Sequence, residues 1–165
     1  MVTVVLTPEA VRGLLAGLTD PEIPVLTLDD LGIVRGVTVD DGRVVVTITP
    51  TYSGCPALEA MSDDIVGVLA QAGLHDVTVR TVLSPAWTTD WMSAAGRRKL
   101  EEYGIAPPAP RASGPVLVPL GRHVPSCPQC GSGDTEELTR FASTACKALW
   151  RCRSCREPFD HFKAH

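Results

Sequence analysis

Nowhere in its 165 residues does the chain carry an apolar run of about 18 or more, the length a helix needs to cross a bilayer. Nor does it carry an excess of basic charge. Fifteen lysines and arginines stand against 19 aspartates and glutamates, for a net charge of -4 and a pI near 5.5. An acidic chain argues against nucleic-acid binding, which usually draws on a basic face. The start, Met1-Val2-Thr3-Val4-Val5-Leu6-Thr7, lacks the basic residues and small-residue cleavage site of a secretory signal. A cytoplasmic protein is expected, with neither membrane nor nucleic acid among its partners. Also missing are a P-loop, a dinucleotide glycine loop, a nucleophile elbow and a di-iron Glu-x-x-His pair. No complete catalytic site is recognisable, so the chain is expected to have no catalysis of its own. There are no internal repeats.

What is present suffices for a core. Hydrophobic residues make up 44% of the chain and the mean hydropathy is +0.11. The length fits one small domain plus a smaller module. Thr7-Pro8-Glu9 opens a first helix, with Thr7 as cap and Pro8 in the first turn. Val11, Leu14, Leu15 and Leu18 share its apolar face. Asp20-Pro21-Glu22-Ile23-Pro24 ends it, and residues 25–32 read as a loop or short turn. Strands are expected at 33–39 and 43–49, joined by the hairpin signal Asp40-Asp41-Gly42. A second helix is expected from about Pro56 to Ala72, stopped by Gly73, with Leu58, Met61, Ile65, Val68 and Leu69 on its apolar face. A third strand follows at 75–83. The pattern α-β-β-α-β predicts an α+β domain over residues 1–90, a small mixed sheet with helices on one face. Residues 91–118 read as a short helix and a proline-rich linker, centred on Pro107-Pro108-Ala109-Pro110.

Residues 119–165 hold the strongest signal. Cys127-Pro128-Gln129-Cys130 and Cys152-Arg153-Ser154-Cys155 are two C-x-x-C knuckles. Two thiolates two residues apart can grip one metal from a tight turn, and two such turns complete a tetrahedron. Gly131 supplies the backbone freedom such a turn needs. Four thiolates leave no open position. The expectation is a closed structural zinc ribbon, with a single iron as the other occupant to weigh. Cys146 lies outside the knuckles and reads either as a thiol near the metal or as a half-buried small residue between strands. Arg140, Lys147, Arg151, Arg153 and Arg156 make the ribbon basic in patches, which in an acidic chain suits a protein surface. His75 and His123 are isolated and receive no role.

Cys55 stands apart in the first domain. Its place directly before Pro56 puts it at the expected N-cap of the second helix, where backbone N–H groups stabilise a thiolate. Gly54 beside it allows close approach of a ligand. The alternative is a buried cysteine acting as a small apolar cap. Asp20, Glu22, Asp29 and Asp30 form an acidic stretch that reads either as a ligand or partner surface or as ordinary loop solvation. Arg35 is a candidate partner for one of them.

Three segments carry a resemblance: Asp20-Pro21-Glu22-Ile23-Pro24, Asp30-Leu31-Gly32-Ile33-Val34, and Thr49-Pro50-Thr51-Tyr52-Ser53-Gly54-Cys55-Pro56. Together they resemble the SufT-type, iron–sulfur-assembly-associated family. The cysteine ribbon, with Ser143-Thr144-Ala145-Cys146-Lys147 and Cys152 to Asp160, resembles the PaaD family, encoded with the phenylacetyl-CoA ring 1,2-epoxidase. The match covers nearly the whole chain in order. It implies an accessory role, maturing or repairing iron–sulfur or iron centres of that oxygenase and reductase complex, whose subunits would be its partners. A stable structural or regulatory subunit without metal transfer is the other role it allows. Cys55 would be the contact thiol for a transient iron–sulfur cluster or iron, with Asp20 and Glu22 lining the same loop region. One cysteine cannot hold a cluster alone, so a homodimer or a client protein would complete the site.

Overall fold

A computed structural model describes residues 6–109 and 123–164 of the chain. The linker expected through Pro115 lies beyond Ala109 largely outside those residues. The fold divides into two compact units, the first ending at Trp87 and the second beginning at Thr88.

In the first unit, helix α1 spans Pro8–Leu15. The Thr7 hydroxyl accepts from the Ala10 N–H at 3.2 Å, as the cap signal predicts. Val11 and Leu15 are buried, whereas Leu14 is 41% exposed, so the apolar stripe is narrower than the spacing suggests. Part of the stretch read as loop is a one-turn helix, α2 (Leu28–Leu31), closed by a capping box between Thr27 and Asp30. Gly32 ends it at φ 67. Strands β1 (Val34–Asp40) and β2 (Arg43–Ile48) form the expected antiparallel hairpin. Asp41 at φ 45 and Gly42 at φ 84 give its turn the left-handed pair that matches strand twist.

Helix α3 (Leu58–Gln71) then crosses over to β3 (Val77–Thr81), which pairs parallel with β2. Gly73 at φ 86 stops the helix, and the Leu74 N–H returns to the Leu69 carbonyl. The sheet order is β1-β2-β3. Val44, Val46 and Ile48 of the central strand are fully buried, as are Ile65 and Leu69, with Met61 nearly so. This is the small mixed sheet with packed helices that the pattern predicts.

The second unit holds helix α4 (Ala94–Glu102), capped by the Ser93 hydroxyl, and strands β4 (Ile105–Ala106), β5 (Thr135–Thr139), β6 (Lys147–Cys152) and β7 (Pro158–Phe162). The sheet order is β4-β7-β6-β5. β5, β6 and β7 form an antiparallel meander, and β4 adds parallel to β7. Ala106, Cys127, Ala148, Trp150, Cys152 and Phe159 pack together as its core.

Candidate functional site

Two short turns bring the four ribbon cysteines together. In the first, the Gly131 N–H reaches the Cys127 carbonyl at 2.8 Å and the Cys127 N–H reaches the Ser132 carbonyl at 2.9 Å. Gly131 sits at φ 73. The second knuckle repeats the form with Arg156 at φ 68 in the matching place after Cys155. The Ser132 and Ser154 hydroxyls meet at 2.8 Å between the two turns. The result places the Sγ atoms of Cys127, Cys130, Cys152 and Cys155 all within 4.8 Å of one another. Cys127 to Cys155 is 3.7 Å and Cys130 to Cys152 is 3.5 Å.

That geometry can be tested against a metal. A tetrahedron with metal–sulfur bonds of about 2.3 Å has sulfur–sulfur edges of about 3.8 Å. The observed spacings fit, and the donor set is all soft thiolate. Two of the four thiols, Cys127 and Cys152, are buried, while Cys130 and Cys155 are exposed. Without a cation Cys152 and Cys155 do not ionise alike. The Cys155 backbone N–H leads in holding the Cys152 thiol down to about 6. At Cys155 the Glu157 N–H favours the thiolate, but desolvation and the neighbouring sulfurs outweigh it and push the thiol up to about 12.

Cys146 is not part of this group. It is buried just before β6, with its sulfur 3.0 Å from the Thr144 hydroxyl. The basic patches are largely neutralised. Arg151 and Arg153 both grip Glu136, Lys147 pairs with Asp160 at 3.2 Å, and Arg140 lies 4.0 Å from Glu137. Among the described residues only Arg156 of the five lacks an ion pair.

The Cys55 loop belongs to the first unit. Cys55 is half-buried, and its N–H donates to the Tyr52 carbonyl at 3.2 Å. The expectation that Cys55 caps the second helix is corrected. α3 begins at Leu58, its N-cap is Ala57, and no side chain caps it. Pro56 opens a turn rather than the helix proper. Cys55 instead contributes its carbonyl, which accepts from the Leu58 N–H at 3.3 Å. Thr49, where the loop begins, is buried and its hydroxyl has no partner among the described residues, a feature the sequence does not single out.

Asp20 is buried and its carboxylate is a loop clamp. One oxygen accepts from the Glu22 and Ile23 N–H groups, both at 2.8 Å. The Asp20 N–H returns to Leu26 and the Leu28 N–H to Leu18, both at 2.9 Å, so residues 18–28 close into a pinned loop. Glu22 is half-buried on that loop. Asp30 is spent in the capping box, and Asp29 reaches Arg12 at 3.8 Å. Trp87 donates its indole N–H to the Leu31 carbonyl at 2.8 Å. The Thr49 N–H bonds the Ile33 carbonyl at 3.0 Å, which puts the Cys55 loop and the end of the acidic segment at one end of the sheet. Cys55, Asp20 and Glu22 nevertheless do not form a ligand cluster. Among the described residues, the four ribbon cysteines are the one such group. Among them, too, no helix is long and apolar enough to cross a membrane.

Comparison with known proteins follows the same division. Residues 8–82 match the family described as iron–sulfur cluster assembly protein, and residues 116–163 match the PaaD zinc beta ribbon domain. The fold and the knuckles therefore define a class: an iron–sulfur-assembly domain joined to a zinc ribbon. Over 150 residues the chain is 51% identical to an Escherichia coli (strain K12) protein named as a component of 1,2-phenylacetyl-CoA epoxidase, covering 91% of this chain and 88% of that one. The chain belongs to the PaaD family. Over 87 residues it is 37% identical to the Fe-S protein maturation auxiliary factor YitW of Bacillus subtilis, covering 52% of this chain and 84% of the other. A crystallised domain of unknown function from Bacillus anthracis superposes with a TM-score of 0.53 at 28% identity, over 56% of this chain and 90% of that one.

Proposed function

We propose that this chain is an accessory factor of a phenylacetyl-CoA 1,2-epoxidase, maturing or repairing the iron–sulfur or iron centres of its oxygenase or reductase. The first unit does the handling and the second is a recognition module. What supports this reading most is the division of thiols. Four cysteines close on one another in a site that fits a structural zinc, leaving no open position. Cys55 is the one cysteine of the first unit, half-buried on a loop at one end of the sheet. Relatives that match about half of this chain, 53% and 52% of it, are named as Fe-S maturation factors.

Cys127, Cys130, Cys152 and Cys155 would hold the zinc, which supplies folding energy rather than chemistry. Cys55 would be the contact thiol for iron or a cluster passing through as cargo, because a thiolate is a soft ligand suited to it. Asp20 fixes the neighbouring loop, and Glu22 lines it. No three of these groups converge, so the remaining ligands come from a client protein or a second copy of the chain.

Metal and sulfide analysis after anaerobic reconstitution tests the proposal. Wild type should hold about one zinc per chain and gain iron and sulfide, and Cys55→Ser should keep the zinc and gain neither. If wild type gains no iron while its zinc persists, the cargo role fails. The chain would then be a structural partner of the oxygenase.

A further inference from the structure

The second unit concentrates the basic charge of the chain. Residues 1–87 hold 4 basic and 11 acidic side chains, whereas residues 88–165 hold 11 and 8. Three of those basic residues, Arg151, Arg153 and Arg156, line one cleft of about 230 Å³ at the second knuckle. They stay in contact with water, the Arg151 and Arg153 side chains being 51% and 57% exposed and Arg156 exposed as well.

Glu136 holds two of them side by side. Its Oε1 accepts from Arg151 Nε at 2.9 Å and from Arg151 Nη2, and its Oε2 accepts from Arg153 Nη2 at 3.0 Å and Nε at 3.3 Å. Both grips use the Nε and Nη2 edge, which leaves each Nη1 for another acceptor. Asp134 lies 3.7 Å from Arg153 Nη1, too far for a hydrogen bond. Arg156 has no ion pair among the described residues and stands at φ 68, where glycine would be free of strain. A strained backbone kept by a charged residue points to a task for its side chain.

We propose that this cleft docks an acidic segment of a partner protein, two or more of its carboxylates being held at once by the Arg156 fork and the Nη1 groups of Arg151 and Arg153. The inference rests on reading the second unit as a recognition module. One exposed ion pair strengthens binding about fivefold at most, so a lone small anion gains little here and a segment with several carboxylates gains much more. A guanidinium fork matches a carboxylate, and two of the three forks are already held in place. Nucleic acid fits less well. No aromatic ring stands among the described lining residues for a base to stack on, and the acidic surplus of the first unit repels a long polyanion.

Fluorescein-labelled hexaglutamate titrated into the zinc-loaded full chain, followed by fluorescence anisotropy, is the probe. The expected result is saturable binding that weakens as salt rises. Arg156→Gly should weaken it about threefold and Arg156→Glu about tenfold, while both variants keep their zinc. Arg98→Gln removes one charge from α4, outside the cleft lining, and should leave binding unchanged. No saturable binding, or an equal loss in Arg98→Gln and Arg156→Gly, overturns the proposal. Zinc released from Arg156→Gly would assign the arginine to the anionic metal centre and overturn it too. Labelled hexathymidylate binding more tightly than hexaglutamate would overturn the protein partner in favour of nucleic acid. Iron and sulfide uptake should be the same in Arg156→Gly as in wild type, so a failure of the docking surface and a failure of the Cys55 cargo role are read separately.

Discussion

Asp20, which the sequence offers either as a ligand or as ordinary loop solvation, also has a structural task. The sequence offers it as an acidic ligand in a loop, and the fold uses it to hold the loop shut. A charged acceptor bonded to two N–H groups, largely shielded from water, is a strong contact. Asp20→Ala should therefore cost about 2–3 kcal/mol of stability with no iron present, as urea unfolding of the zinc-loaded protein would show. Asp20→Asn keeps an oxygen acceptor and should cost less. An Asp20→Ala protein as stable as wild type would mean that the loop does not depend on this clamp. His161 carries the second prediction at this scale, and its sign follows from burial. Its folded pKa of about 4 lies below the unfolded value near 6.5, so between those limits the unfolded chain binds the extra proton. Stability falls as pH drops through that window, by about 2 kcal/mol between pH 7 and 5 from this residue. In His161→Gln the loss between pH 7 and 5 should be smaller by about that amount. Equal losses in both proteins would mean that His161 is not buried in solution. Neither effect is legible from the sequence, where His161 is one of four histidines with no neighbouring motif.

At the scale of elements, legibility tracks local signals. The caps at Thr7 and Gly73, the Asp40-Asp41-Gly42 turn and the alternation of β2 are encoded within a few residues, and the structure shows each. The one-turn α2 escapes a sequence reading because its signal is a Thr27–Asp30 capping box with no apolar run behind it. β4 escapes it because two residues next to a proline stretch have no periodicity. Its strand character comes from β7, about 55 residues away. Cys55 is misplaced by the sequence because Pro56 resembles a helix start, while the first helical turn comes two residues later. The knuckles give a testable asymmetry. Gly131 and Arg156 occupy matching left-handed positions, but only one is glycine. Gly131→Ala should lower stability by about 1 kcal/mol, whereas Arg156→Gly should leave it unchanged or raise it by up to about 1 kcal/mol. Thermal unfolding of the zinc-loaded variants measures both, and a large loss in Arg156→Gly would show that its side chain carries binding energy elsewhere.

The whole molecule combines two ways of reaching stability. The first unit buries a conventional core, with Val46, Ile48, Ile65 and Leu69 all removed from water. Truncating one of these, as in Ile65→Ala, should cost roughly 2–5 kcal/mol. The second unit's central cluster has six members, and two of them, Cys127 and Cys152, also belong to the four-thiol group that fits a metal. A core that counts its ligands among its packing residues cannot lose the metal and keep the packing. Once the cation leaves, thiols at 3.5 and 3.7 Å lose the charge that holds them together. A strong chelator should therefore melt the second unit selectively. Amides of β5, β6 and β7 should lose protection from hydrogen exchange, while those of β1, β2 and β3 keep theirs. Loss of protection in both sheets together would mean that the chain unfolds as one cooperative body and that zinc stabilises the Cys55 unit as well. Selective loss would mean that Cys55 rests on a domain whose folding does not depend on zinc, so loss of the ribbon's metal leaves the Cys55 loop intact.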